Sequence, residues 1–259
     1  MNIVVTNDDG LYTQGIWTLA EALCAVGNVT VVAPDREQSG VGLGITLRHP
    51  VKVYEAVSRI EGVKALAVEG SPADSILLAV QGLTPQPVDL VVSGINEGAN
   101  LGMNVLVSGT AGAAFQAHFF DIPAIAVSVA GEKPPWEFEP GARVAQALAS
   151  RFRDGLLNGP LLLNINVPRG KAEEIQGVAI TRLARGRYVD TLEKLDTDRH
   201  LYYWLARGKS EYKADEGTDV WAVRNKRVSI TPLHIDLTSE EAAPSLASCT
   251  GDLLRALKG

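Results

Sequence analysis

The chain has 259 residues, 46% of them hydrophobic and only 6% aromatic, with a formal net charge of −6; this is enough apolar material for one large domain, or for one domain with a sizeable appendage. A pI of about 5.3 and the lack of any basic block argue against a nucleic-acid polymer as main ligand, although a metal or a helix N-terminus can still attract a small anion locally. Cys24 and Cys249 stand outside any Cys-x-x-Cys pair and are expected as free thiols in a reducing compartment; with no leader-like start and no apolar stretch of ~18 residues, the expectation is a cytoplasmic protein without a membrane span.

In chain order, "NIVVTN" reads as a buried strand that ends abruptly in Asn7, Asp8, Asp9 and Gly10. Ile16, Leu19, Ala20 and Leu23 then share one face of a helix. "VTVVAP" (29–34) is a second strand, closed by Pro34, and "VKALAVE" (63–69) a third. Ser71 reads as an N-cap, with Pro72 at the first helical position and Asp74 in the first turn of a helix through "SILLAVQ". "DLVVSGI" (89–95) is a strand, followed by a glycine-rich loop and the helix "GTAGAAFQAHFF". "AIAVSVA" (124–130), the helix "GARVAQALASRF" (141–152) and the strand "LLLNINV" (161–167) complete the alternation. Beyond about residue 180, strand signals continue without clear helical alternation. Arg182, Arg185 and Arg187 alternate with small or apolar residues, which predicts a hairpin or arm. The tail reads as a final helix interrupted near Pro244.

Continuous apolar strands separated by helices predict an α/β fold with a mostly parallel sheet. Ligands in such folds bind outside the carboxyl ends of the strands. Asp8 and Asp9 end the first strand, residues 35–44 follow the second, and residues 93–110 follow a later one. Three polar, glycine-bearing loops are therefore expected along one edge.

Two adjacent carboxylates raise each other's pKa, so water, a basic side chain or a metal ion must compensate. A helix N-cap needs only one carboxylate. Hard divalent cations such as Mg²⁺ and Mn²⁺ take oxygen ligands, often one or two carboxylates. Neighbours on a regular strand point to opposite faces, so both aspartates reach one ion only where the chain turns, as Gly10 permits. The Asp-x-Asp of haloacid-dehalogenase-like phosphatases is absent, since Gly10 stands two after Asp8. No Gly-x-Gly-x-x-Gly follows the first strand, which argues against a dinucleotide fold, and "GVGLG" (40–44) precedes a strand-like segment instead of a helix. Ser39 in isolation is a loop serine. "SGINEGANLGMNVLVSGTAGAA" (93–114) says more. Its glycines let backbone N–H groups approach an anion, and "SGT" opens a helix whose first N–H groups lack partners. Ser108 and Thr110 also read as plain capping residues. His49, His118, His200 and His234 show no ligand spacing and read as structural or surface residues.

"NDDG", "APDREQSG", "GSPADS", "VVSGINEGANLG", "VSGTAGAA" and "GTDVWAVRNKRVSITPLHIDLT" (217–238) together resemble the SurE family of survival-protein nucleotidases over nearly the whole chain. The resemblance implies a Rossmann-like three-layer α/β sandwich with a mostly parallel sheet, plus a C-terminal β-rich arm and terminal helix. The core would span residues 1–180, and residues 181–259 would form the arm, a returning strand and the helix used in oligomerisation. One divalent ion per subunit (Mg²⁺, Mn²⁺ or Co²⁺) would be held by Asp8, Asp9, Ser39 and Asn96, with Asp8 and Asp9 catalytic. Asn100, Ser108, Gly109 and Thr110 would bind substrate. The implied activity is hydrolysis of nucleoside 5′- and 3′-monophosphates, with some action on short polyphosphate, in a homodimer or homotetramer with an exchanged arm and a role in stationary-phase survival. With both aspartates given to the metal and no histidine placed by a motif, attack by a metal-activated water is expected. Val107 replaces a tyrosine usual in the family, "LYTQG" with Thr13 replaces Ala-Pro-Gly, and Ser71 replaces threonine. The residues alone leave open a non-enzymatic nucleotide-binding protein and a metal-dependent sugar-nucleotide transferase.

Overall fold

The computed structural model describes residues 1–131, 133–187, 191–196, 201–206 and 211–259; His200 lies outside them. In chain order the core elements are β1 (Asn2–Thr6), α1 (Gln14–Cys24), β2 (Asn28–Pro34), β3 (Val53–Glu55), β4 (Lys64–Val68), α2 (Pro72–Leu78), β5 (Leu90–Glu97), α3 (Gly109–His118), β6 (Ala124–Val129), α4 (Glu139–Arg153), β7 (Leu162–Val167) and β8 (Gly177–Ile180). A ribbon follows, made of β9 (Gly186–Arg187), β10 (Thr191–Asp196), β11 (Leu201–Ala206) and β12 (Glu211–Tyr212). Then come α5 (Asp219–Arg224), β13 (Arg227–Leu233), α6 (Ala243–Ser248) and α7 (Thr250–Lys258).

One sheet takes nine strands in the order β3-β4-β2-β1-β5-β6-β7-β13-β8. Within it only β3 against β4 and β13 against β7 are antiparallel. The expected α/β layering follows from period-two alternation with both faces apolar. Ile3, Val5, Val31 and Ala33 pack with Ile16, Leu19 and Leu23 of α1 and Ala142, Ala145 and Ala149 of α4. Val4, Val32, Leu66, Val68 and Val91 pack on the other face with Ile76 of α2 and Ala111, Ala114 and Ala117 of α3. Each fully buried valine or leucine contributes about 1.5–3 kcal/mol relative to exposure.

The predicted cap at Ser71 is present. Its hydroxyl accepts the Asp74 N–H at 3.0 Å, and the Asp74 carboxylate accepts the Ser71 N–H at 2.9 Å, a reciprocal pairing of first-turn donors. Asp74 also accepts the N–H and hydroxyl of Thr46, each at 2.8 Å, which ties the loop after β2 to α2. The segment expected as an arm forms antiparallel pairs, β9 with β12 and β10 with β11. β13 then returns to the main sheet between β7 and β8. Two details differ from expectation: a short helix, α5, capped by the Thr218 hydroxyl accepting the Trp221 N–H, interrupts the strand-rich segment before β13, and the tail breaks elsewhere than at Pro244. Pro244 sits in the first turn of α6, and the break falls between α6 and α7 at Cys249. Proline is tolerated at a helix start because its missing N–H would have no intrahelical acceptor there. No helix among the described residues is long and apolar enough to cross a membrane.

Candidate active site

Asn7 closes the turn after β1. Its carboxamide oxygen accepts the Gly10 N–H at 3.2 Å, and its nitrogen donates to the Gly10 carbonyl at 3.1 Å and to the Thr13 hydroxyl at 3.0 Å. Thr13, one of the departures from the family pattern, returns a hydrogen bond to the Gly10 carbonyl at 2.9 Å. Gly10 has φ +99°, and a Cβ there would stand 3.0 Å from the Arg36 carbonyl carbon, so a side chain would be both strained and crowded. The Gln38 N–H donates to the Asp8 carbonyl at 2.7 Å. The β1 turn and the loop after β2 are thus joined beside Ser39.

Asp8 is only 3% exposed. The Thr110 hydroxyl donates a hydrogen bond to Asp8 Oδ1. A Cβ on Gly109 would fall 2.8 Å from Asp8 Cβ, 3.0 Å from Asp8 Oδ2 and 3.2 Å from the Gln38 carbonyl oxygen. The first turn of α3 therefore lies directly on the Asp8 carboxylate. Ser108 caps this helix by accepting the Ala111 N–H at 3.1 Å, which leaves the Gly109 and Thr110 N–H groups as first-turn donors without an intrahelical acceptor.

Asp9 accepts the Glu97 N–H at 3.2 Å. Burial pushes its carboxyl up to about 7, helped by the charges of Asp8, Glu97 and Glu37 and opposed by the Glu97 N–H. Asn96, 7% exposed, donates from its carboxamide to the Gly98 carbonyl at 2.6 Å, so its oxygen remains as a ligand atom. Ser39 is exposed, and its hydroxyl donates to Glu37 at 2.9 Å, which leaves its oxygen lone pairs. One buried and one half-buried carboxylate that repel each other, with neutral oxygen donors in the adjoining loops, suit a hard cation. Among the described residues, no cluster of three or more His, Cys, Asp and Glu side chains is arranged to hold a metal; the set expected from the sequence contains two carboxylates, one hydroxyl and one carboxamide.

Asn100 is the buried anchor of the glycine-rich loop. Its carboxamide donates to Ser128 at 2.9 Å, its N–H donates to Asn166 at 2.8 Å, and its carbonyl accepts from Asn164 at 2.9 Å and Asn166 at 3.1 Å. Sequence reading missed Ser128, Asn164 and Asn166 as supports of this loop. A signal existed: two asparagines at i and i+2 in the apolar run "LLLNINV" share one face of a strand.

The family model described as "Survival protein SurE" matches residues 3–190. A protein named 5′-nucleotidase SurE from Dehalococcoides mccartyi (strain CBDB1) is 42% identical over 235 residues, covering 90% of this chain and 89% of its own. Its namesake from Geobacter sulfurreducens is 44% identical over 249 residues, covering 96% and 93%. The crystal structure of SurE protein from Aquifex aeolicus superposes with a TM-score of 0.79 at 36% identity, covering 95% of this chain and 98% of that one. The fold, the motif-bearing loops gathered at one sheet edge and these likenesses over almost the full length agree, and the chain belongs to the SurE family.

Proposed function

We propose that this protein is a metal-dependent 5′/3′-nucleotidase, a phosphomonoesterase that releases phosphate from nucleoside monophosphates and acts on short polyphosphate as well. The observation that carries the reading is the contact between Asp8 and the first turn of α3, made by Thr110 and Gly109. A carboxylate pressed against a helix N-terminus whose first N–H groups have no intrahelical acceptor is arranged for a cation and an anion side by side. The relatives named 5′-nucleotidase support the substrate class.

Asp8, Asp9, Ser39 and Asn96 would hold one divalent ion, Mg²⁺, Mn²⁺ or Co²⁺. When bound, such an ion supplies Lewis-acid charge and a more acidic water. The chain's own residues do the rest. The Gly109 and Thr110 N–H groups hold the phosphoryl oxygens and stabilise their charge as it redistributes; one donor of this kind is typically worth about 3 kcal/mol of barrier. Ser108 keeps the helix start in register by capping it, and Asn100 fixes the loop above the sheet. We further propose a homodimer or homotetramer assembled through the segment after residue 180. Leu246 of α6 and Leu253, Leu254 and Leu257 of α7 are exposed in the single chain, and an apolar face of this kind favours burial against another chain.

The test is phosphate release from a panel of 5′- and 3′-nucleotides with Mg²⁺, Mn²⁺ or Co²⁺. Multiple turnovers are expected. Stoichiometric binding without turnover would support a nucleotide-binding protein, and transfer to an acceptor would support a transferase.

A further inference from the structure

Tyr212 and Asp219 lie more than a hundred residues beyond the glycine-rich loop, yet both grip the turn that leads into α3. That turn is a 3₁₀ segment, Gly102–Leu106. Gly102 has φ +52°, and a Cβ there would fall 2.5 Å from Tyr212 Cε1 and 2.8 Å from the Ala184 carbonyl oxygen, so the tyrosine ring rests against the bare backbone. The Gly102 N–H donates to Asp219 Oδ2 at 2.7 Å. The other oxygen of that carboxylate accepts the N–H groups of Ala184 at 2.9 Å and Val220 at 2.8 Å. The Tyr212 hydroxyl donates to Asn104 Oδ1 at 3.0 Å.

The same turn is bonded onward to the helix. The Asn104 carbonyl accepts the N–H groups of Val107 at 3.1 Å and Ser108 at 3.0 Å. Ser108 caps α3, and Thr110, two residues on, bonds Asp8. At the other end, β12, which carries Tyr212, pairs with β9 at the root of the ribbon, and Ala184 stands two residues before β9. An unbroken run of hydrogen bonds and close contacts therefore joins the ribbon root to the N-terminus of α3.

We propose that Asp219 and Tyr212 are positioning residues of the phosphate site: they fix the 102–106 turn, and through Asn104 and Ser108 they set where the N-terminus of α3 stands. This rests on the phosphomonoesterase reading above. Neither residue touches substrate. Their influence passes through the backbone of the turn, so the ribbon root and the phosphate cradle move as one unit.

The experiment uses the full chain with Tyr212→Phe, which removes only the hydroxyl, and Asp219→Asn, which keeps the shape and replaces one acceptor oxygen. Four quantities are read: KM and kcat on a nucleoside 5′-monophosphate, the Kd of inorganic phosphate, amide hydrogen exchange across 101–110, and the melting midpoint. In Tyr212→Phe, losing one neutral hydrogen bond should raise KM and the phosphate Kd about fivefold. kcat should change less, the Val107 and Ser108 amides should exchange several-fold faster, and the midpoint should hold. Asp219→Asn should move the same quantities further. Unchanged exchange and unchanged phosphate affinity in both variants would overturn the proposal. So would faster exchange without weaker phosphate binding, or losses that merely follow the melting midpoint. Exchange and phosphate binding do not depend on turnover. A wild-type protein that binds phosphate without hydrolysing nucleotides would sink the nucleotidase reading and leave the positioning role standing if both variants respond as expected.

Discussion

Gly109→Ala sets two physical effects against each other at the centre of the candidate site. In a helix interior, alanine is favoured over glycine by about 1 kcal/mol, an upper bound on the gain at Gly109, the first residue of α3. Propensity alone therefore predicts a slightly more stable protein with normal activity. The contact predicts the opposite. The new Cβ would stand 2.8 Å from Asp8 Cβ and 3.0 Å from Asp8 Oδ2, whereas carbon pairs are at their optimum near ~3.5–4.0 Å. Asp8 or the helix start must retreat by roughly 0.7 Å to reach that range. Overpacking of this kind costs about 1–3 kcal/mol, which outweighs the propensity gain. A displacement of ~1 Å at a reacting centre costs on the order of 10²-fold in rate, so kcat/KM should fall by roughly 10- to 100-fold. The melting midpoint should fall by a few degrees, at ~2–4 °C per kcal/mol for a chain of this size class. Gly251→Ala is the control, because a Cβ there meets nothing within 4 Å; it should stabilise α7 slightly and leave activity alone. Steady-state kinetics and thermal unfolding of both variants decide the matter. A Gly109→Ala protein with full activity and a raised midpoint would refute the account of the Asp8–α3 contact.

Two further outcomes follow from other parts of the chain. Burial raises the Asp219 carboxyl above its ordinary 3.8 despite the backbone N–H groups that it accepts. An acid raised in the folded state adds stability below its unfolded pKa and loses it as pH rises through the folded one; urea unfolding across that range should show wild type losing stability relative to Asp219→Asn, and a difference that does not vary with pH would contradict this. Deleting 239–259 removes the exposed leucines of α6 and α7 and should weaken or break the oligomer in sedimentation; wild-type protein that is monomeric at micromolar concentration would remove the basis for that expectation.

The fold was legible in the sequence wherever burial is two-sided. β1, β2, β4, β5, β6 and β7 are continuous apolar runs, and such runs leave few alternatives to a covered parallel sheet. The α2 start was legible because Ser71, Pro72 and Asp74 carry their own capping chemistry. The site was only half legible. Motif spacing identifies Asp8, Asp9 and the "SGT" helix start as separate features, but the Thr110–Asp8 bond spans 102 positions, and no local rule specifies such a contact. The asparagine supports at 164 and 166 broke the apolar pattern of their strand, which was the available sign. Asp219 stands in the motif-bearing stretch 217–238 and Tyr212 outside every motif, and neither revealed its partners, which are backbone groups and a side chain on a distant turn. The break at Cys249 in place of Pro244 shows the same thing on a small scale: proline marks a helix boundary, and whether it opens or closes the helix depends on the turn before it.

The most direct test of the central claim is phosphate release from a nucleoside 5′-monophosphate by exhaustively chelated protein, before and after addition of Mn²⁺, with Asp8→Asn and Asp9→Asn measured alongside. The chelated wild type should show no turnover and Mn²⁺ should restore it, while both variants should lose most activity even with the metal restored, because each substitution removes charge from a site whose other donors are neutral. Full turnover by the chelated wild type and by both aspartate variants would contradict the central claim.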